Sequence, residues 1–421
     1  MRITSNRFAL GAILVGALLC PQFVSAQFVY VNDNNPISGA NTATGYTVIG
    51  GPALSLMTGS PFATNSTGFA AFPAPVHDVA GTIAGSNCLF VSDPLGASSF
   101  PTGDVASFSI GGGGALTLVG NYNDPSSGGF INKYIPLAID RRVGFPYFFA
   151  AFTGENKIAF YKAGPNCQLF WSSSTTAVGL GGTPVMSMAV TKAGPHVLVV
   201  TYGDGSIQSF KIGGGTLTPL AIFFSTGSGA QGGLPESVDI TKNGKYAVFG
   251  DRQPGFAEVE TARIMPTGAL TPTADFGGPA SAGGVNLGPG LNSRDVWLSP
   301  AAVGGKFYLY ITNNASGQVT TARVSQVTGV VSAAGTCTGA YTNPTALAPS
   351  FWTTPAGLNT ITTAGAGGAL AVAEYGAPSS VALLKIQNTT GCTLELPGSP
   401  FADPFSSNGV SSVGVFPSRV Y

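Results

Sequence analysis

Three ionisable residues stand at one equivalent place in a repeating chain. His77, Glu236 and Arg294 each lie two positions ahead of a valine in a short strand: Val79, Val238 and Val296. Other copies put Met186, Ile135 and Ser411 at that place. A histidine titrates near neutral pH and serves as a general base. An arginine holds a carboxylate or stabilises an oxyanion. A glutamate orients the histidine or takes a proton itself. If the strands bring these three to one ring, they form the parts of a hydrolytic or anion-binding site. The plain alternative is a solvated channel lined by polar groups, or a structural Glu236–Arg294 ion pair.

The supporting residues lie at the tips of neighbouring strands. Asp251 and Arg252 follow directly from the copy that holds Glu236, and Glu374 ends a similar strand. These three are expected to bind ligand. Asp93 and Asp204 occupy comparable tips, where an Asp also serves simply to cap a turn. Asp33, Asp93 and Asp251 lack the spacing of a calcium loop, so no metal is expected. No cofactor is expected either. Gly227 to Gly232 matches G-x-G-x-x-G, but no helix follows to receive a phosphate. There is no G-x-S-x-G, H-E-x-x-H or P-loop, which excludes an α/β-type serine hydrolase and a zinc protease. Trp171, Trp297 and Trp352 offer flat faces for sugars, although Trp297 sits on a strand that reads as core. His196 starts a strand at the opposite end from His77 and reads as a lone surface or packing residue.

The elements that must hold these residues are strands. A β-branched and aromatic run ending in a polar turn recurs seven times, as Phe28–Asp33, Cys88–Asp93, Tyr147–Ala151, His196–Tyr202, Tyr246–Asp251, Phe307–Asn313 and Leu370–Glu374. A turn-plus-strand piece follows each one. Ala53–Ala63 and Thr393–Ala402 share the ending Gly-Ser-Pro-Phe-Ala, and Gly114-Ala-Leu-Thr-Leu and Gly268-Ala-Leu-Thr-Pro are further copies. A third strand signal precedes six of the runs, as in Ser237–Lys245. Each repeat therefore holds about four short strands, and no segment has a capped helical period. Four-stranded units repeated seven times predict an all-β chain, a seven-bladed β-propeller with antiparallel blades. Ser411–Pro417 reads as the innermost strand of the first blade, so the C-terminal strand closes the ring.

Phe-Val-Tyr-Val-Asn-Asp followed by Gly-Ala-Leu-Thr resembles the lactonase-type, or YVTN, seven-bladed propellers, across essentially all of residues 27–421. That family includes 6-phosphogluconolactonases and muconate-lactonising enzymes as well as exported binding proteins. The resemblance implies the propeller fold. For His77, Glu236 and Arg294 it implies a lactone-hydrolysing site at the channel. Fold alone does not fix activity. The first expectation is therefore a scaffold that binds a small molecule or protein through its channel mouth and loops. A lactone hydrolase is the alternative. A strict 6-phosphogluconolactonase is disfavoured, because its phosphosugar is cytosolic and wants clustered Lys and Arg.

Residues 1–26 read as a signal peptide, with Arg2 and Arg7, an apolar run from Phe8 to Leu19, and Val24-Ser25-Ala26 before the cut. The run is too short to span a bilayer. A lipoprotein signal at Cys20 is disfavoured by Leu19, where a small residue is normal. The expected product starts at Gln27, is periplasmic or extracellular, and is a monomer with no membrane span. Its four cysteines, Cys88, Cys167, Cys337 and Cys392, allow three pairings. Only 9% of the 421 residues are charged, with 18 basic against 18 acidic. That balance excludes a nucleic-acid binder, which needs clustered Lys and Arg. The 60 Gly and 30 Pro, with 44% hydrophobic residues, indicate a folded chain dense in turns rather than a disordered one.

Overall fold

A computed structural model describes residues 27–49, 53–68, 78–96, 103–126, 129, 132, 135–224, 234–253, 256–277, 293–299, 306–313, 318–333, 355–358, 369–374, 379–387, 390–405 and 412–416. The expected signal peptide, His77, Cys337, Trp352 and the Gly227–Gly232 motif lie outside them. The protein is a seven-bladed β-propeller of antiparallel blades, each with four strands in a continuous path. Among the described residues the only helix is a single 3-10 turn, Pro165–Cys167.

The inner strands of blades 2 to 7 are Asp78–Ile83, Leu137–Ile139, Val185–Val190, Pro235–Ile240, Ser293–Leu298 and Pro355–Leu358. Each of these is followed outward by its second, third and outer strands. The seven second strands coincide with the seven β-branched runs of the sequence, from Gln27–Asn32 in blade 1 to Ala369–Glu374 in blade 7. Blade 1 takes its inner strand from the other end of the chain: Val413–Phe416 pairs with Gln27–Asn32, matching Phe28 with Phe416 and Val31 with Val413. The ring is therefore closed by the C-terminal strand. The two Gly-Ser-Pro-Phe-Ala segments also fold alike. Phe62–Ala63 and Phe401–Ala402 each add a short fifth strand to the third strand of their blade.

Packing of blade against blade decides where the core lies. Each second strand is buried on both faces, because each blade packs against two neighbours. Phe148, Phe149, Leu198, Val199, Leu309 and Tyr310 are all fully buried. Seven separate apolar clusters result, one at each junction between blades. Between described residues, one junction is also covalent. Cys88, in the second strand of blade 2, forms a disulfide with Cys167 of blade 3.

The turn between third and outer strand keys one blade onto the one before it. In blades 6 and 7, Gly329 and Gly391 hold φ of +74° and +71°, and a Cβ there would collide with the rings of Tyr246 and Tyr308. The hydroxyl of Tyr246 donates to the carbonyl of Val327 at 2.8 Å, and that of Tyr310 to the carbonyl of Gly391 at 3.1 Å. Glycine is needed at both turns for the left-handed backbone and for the absent side chain.

We call the end of the ring where chain enters the inner strands the upper face. The end where inner strands turn into second strands is the lower face.

Candidate functional site

The upper mouth is shaped by a repeated irregularity. In blades 4, 5 and 6 the inner strand slips by one residue against the second strand. The slips fall between Val185 and Ser187, Pro235 and Ser237, and Ser293 and Asp295. The residues left unmatched are Met186, Glu236 and Arg294. A bulge of this kind bends the strand locally, and it recurs beside functional sites. Repeat alignment places these three at one position, and in backbone terms they share it.

Glu236 is 8% exposed and Asp251 is fully buried; Asp251 is paired in register with Pro235, so the two carboxylates belong to adjacent strands of blade 5. Arg294 lies at the matching point of blade 6. Arg252 and Glu374 lie at the upper ends of their second strands. The side chains of Arg252, Arg294 and Glu374, like all of His77, are outside the described residues. The structure thus places Glu236 and Asp251 on adjacent strands of blade 5, next to one another in register, and the backbone of Arg294 one blade away. One neighbour went unnoticed in the sequence. Asp295 has its carboxyl held well above the usual carboxylate range by burial, with the Val296 N–H opposing and the charge of Asp239 adding to the shift.

Below the mouth, a chamber of about 200 Å³ lies among the inner strands. Its apolar wall comes from Val79, Leu137, Met188 and Val238, and Trp297 lines one side. Trp297 also packs on Tyr310, with ring centroids 5.8 Å apart, so it serves both core and channel. The charged lining is Arg141, Lys192 and Asp239. Lys192 of blade 4 donates to Asp239 Oδ1 at 2.9 Å, and the Leu298 N–H of blade 6 donates to Asp239 Oδ2 at 2.8 Å. One carboxylate therefore ties three blades together. Arg141 Nη2 donates to the carbonyl of Ala80 at 3.1 Å, which holds the guanidinium at the chamber floor. The chamber thus carries two cations, one of them paired with its carboxylate. Such a lining offers cationic donors to an anionic group and leaves the face of Trp297 to an apolar part of the same ligand.

Sequence reasoning missed this lower set. The signal was Asp239 itself, a charge on an inner strand where blades 4 and 6 place Ala189 and Trp297. An inner-strand charge that close to the axis needs a partner, and the partner lay 47 residues away in another blade.

Of the strand-tip acids, Asp204 caps a turn. It accepts from the N–H of Ser206 at 2.9 Å and from the N–H of Gly181. Burial pushes its carboxyl up, but the hydrogen bonds from Ser206, Gly181 and Thr183 outweigh it and hold the group below the ordinary value. Asp93 is fully buried and accepts from the side chain of Asn41 in blade 1. Among the described residues no group of three or more His, Cys, Asp or Glu is placed to hold a metal ion. His196 lies on the lower face as expected, but it is not alone. Its Nε2 is 2.5 Å from Asp140 Oδ2, and its ring meets Phe145 edge-on at 4.5 Å.

No protein-family model matches the chain, and no curated protein does. Solved structures do match. A candidate 6-phosphogluconolactonase from Bacteroides uniformis aligns with a TM-score of 0.64 at 13% identity, over 93% of this chain and 99% of that one. A periplasmic gluconolactonase from Pseudomonas aeruginosa aligns with a TM-score of 0.61 at 12% identity, again over 93% and 99%. A protein from Lactobacillus plantarum aligns with a TM-score of 0.60 at 14% identity over the same shares. At these identities the likeness establishes the fold, that of the lactonase-like propellers.

Proposed function

We propose that this propeller is a binding scaffold whose ligand is a small molecule with an anionic group, held in the central channel. The observation that carries the reading is the chamber where Arg141, Lys192 and Trp297 meet. Met186, Met188, Val190 and Lys192 follow one another down a single inner strand. A ligand entering from above therefore meets the bulge residues first and the cations last. An exported location, after cleavage before Gln27, belongs to the same reading; N-terminal sequencing of the secreted protein checks it. Binding is tested by calorimetry with a panel of sugar acids, dicarboxylates and their lactones. Lys192→Met should abolish binding of the acids, because it removes a charge-assisted contact and takes the Lys192 partner from Asp239. Equal affinity in the variant, or no acid bound by the native protein, would end the proposal.

Lactone hydrolysis is the second reading, favoured by the bulge position that Glu236 and Arg294 share in adjacent blades. Two of the similar structures are described as lactonases, which points the same way. Here His77 is the base, Glu236 orients it, and Arg294 steadies the oxyanion, with Asp251, Arg252 and Glu374 around them. A lactone-hydrolysis panel decides it. Turnover that disappears in His77→Ala supports catalysis, and no turnover of any lactone leaves the binding scaffold.

A further inference from the structure

The chain is neutral overall, yet its cations are gathered at one end of the ring. Five consecutive blades carry a basic residue near the lower end of the third strand: Lys162, Lys211, Arg263, Arg323 and Lys385. Each is paired in register with a residue at the start of the second strand, where that strand leaves the lower face: Tyr147, Val197, Tyr246, Tyr308 and Ala369. The turns from inner to second strands add Arg141, Arg142, Lys192, Lys242 and Lys245, and Lys306 stands just before a second strand. Against these, the described acids at that end are Asp140, already paired with His196, Asp239, paired with Lys192, and Glu395. The acids Asp33, Asp93, Asp104, Asp124, Asp204 and Asp403 belong to the upper half.

The same face carries exposed apolar tips beside the cations. Val143 is 95% exposed and Phe145 40% exposed, in the turn that begins with Arg141 and Arg142. Phe170 and Trp171 are 54% and 44% exposed, opposite Lys162 and Tyr161 on the neighbouring strand. Val327 and Val330 are 79% and 49% exposed, in the turn that follows Arg323. A cationic field alone fits any polyanion. Cations interleaved with protruding apolar side chains fit an interface that offers both anionic headgroups and an acyl boundary.

We propose that the lower face docks flat on a lipid bilayer rich in anionic phospholipid, with Val143, Phe145 and Val327 entering the headgroup layer. Docking leaves the upper mouth as the entrance to the channel. The third-strand cations serve as distributed electrostatic contacts, each worth about fivefold in partitioning. The proposal does not depend on what the channel binds.

The test is co-sedimentation of the full mature chain with vesicles of equal parts phosphatidylglycerol and phosphatidylcholine, with pure phosphatidylcholine vesicles and soluble polyglutamate as comparisons. Binding to the anionic vesicles should weaken as salt rises, because screening shortens the reach of the field. The triple variant Lys162→Gln, Lys211→Gln, Lys385→Gln should bind about a hundredfold more weakly. Val143→Ser with Val327→Ser should weaken vesicle binding and leave polyglutamate binding unchanged. All three substituted lysines and both valines are exposed, and unchanged melting of the variants will show that the fold is intact. No binding to anionic vesicles at low salt overturns the proposal. So does binding that ignores the valine pair, which would identify the face as a site for soluble polyanions.

Discussion

Deleting Ser412 to Tyr421 takes away the inner strand of blade 1, so a short C-terminal trim is severe in this architecture. Val413, Val415 and Phe416 are 2%, 4% and 9% exposed in the ring. Burial of three such side chains stabilises by roughly 5–9 kcal/mol, at about 1.5–3 kcal/mol each. The strand also satisfies the inner edge of Gln27–Asn32 along four register pairs, where each hydrogen bond adds about 1 kcal/mol net. The sum is of order 10 kcal/mol, comparable with the whole stability of a typical domain, about 5–15 kcal/mol. The truncated chain should therefore lose its cooperative urea transition or shift it to far lower denaturant. Val415→Ala is a gentler version and should cost about 2 kcal/mol. Circular dichroism during urea titration reads both. A truncated protein that unfolds at the native midpoint would refute the closure argument.

Three further outcomes follow from side-chain chemistry at the blade junctions. Gly391→Ala should destabilise by about 2–4 kcal/mol in a urea titration, because it adds left-handed strain and a clash with Tyr308. Asp33 has its carboxyl raised well above the ordinary value by burial and by the nearby charge of Asp403. The folded chain then keeps a proton that the unfolded chain gives up, so this pair lowers stability as pH rises above about 4 toward neutrality; Asp403→Asn should raise the melting temperature at pH 7 and have little effect at pH 3. Cys88→Ser with Cys167→Ser frees a loop spanning a sequence separation of 79 and should cost at most about 4.5 kcal/mol by the chain-entropy relation, seen as an earlier melt.

The blades were legible because each one repeats the same local alternation. The seven second strands and seven outer strands follow from β-branched runs and glycine turns, which are near-neighbour signals. The closing strand was legible for a related reason, since the expected mature chain starts at a second strand and has to find its inner partner elsewhere. What stayed hidden depends on the ring bringing distant residues together. Lys192 and Asp239 meet only because blades 4 and 5 are adjacent, and Cys88 finds Cys167 because blade 3 turns its 3-10 segment toward blade 2. Alignment of the chain with itself located the bulge position of Met186, Glu236 and Arg294. It carried no sign of the bulge, because a slip of one residue in pairing leaves the alternation of the strand almost unchanged.

The glycine turns have a consequence for how the chain can be rewired. Gly114 rests on Phe28, Gly268 on Val197, Gly329 on Tyr246 and Gly391 on Tyr308, each time a turn of one blade against the second strand of the blade before it. Every such junction reads only its upstream neighbour, and none refers to where translation begins. A circular permutant, opened in a link from an outer strand to the next inner strand and joined between Gln27 and the closing strand, would keep the cyclic order of blades and hence every one of these seats. The order of blades around the circle, rather than the position of the first residue, then specifies which turn meets which strand.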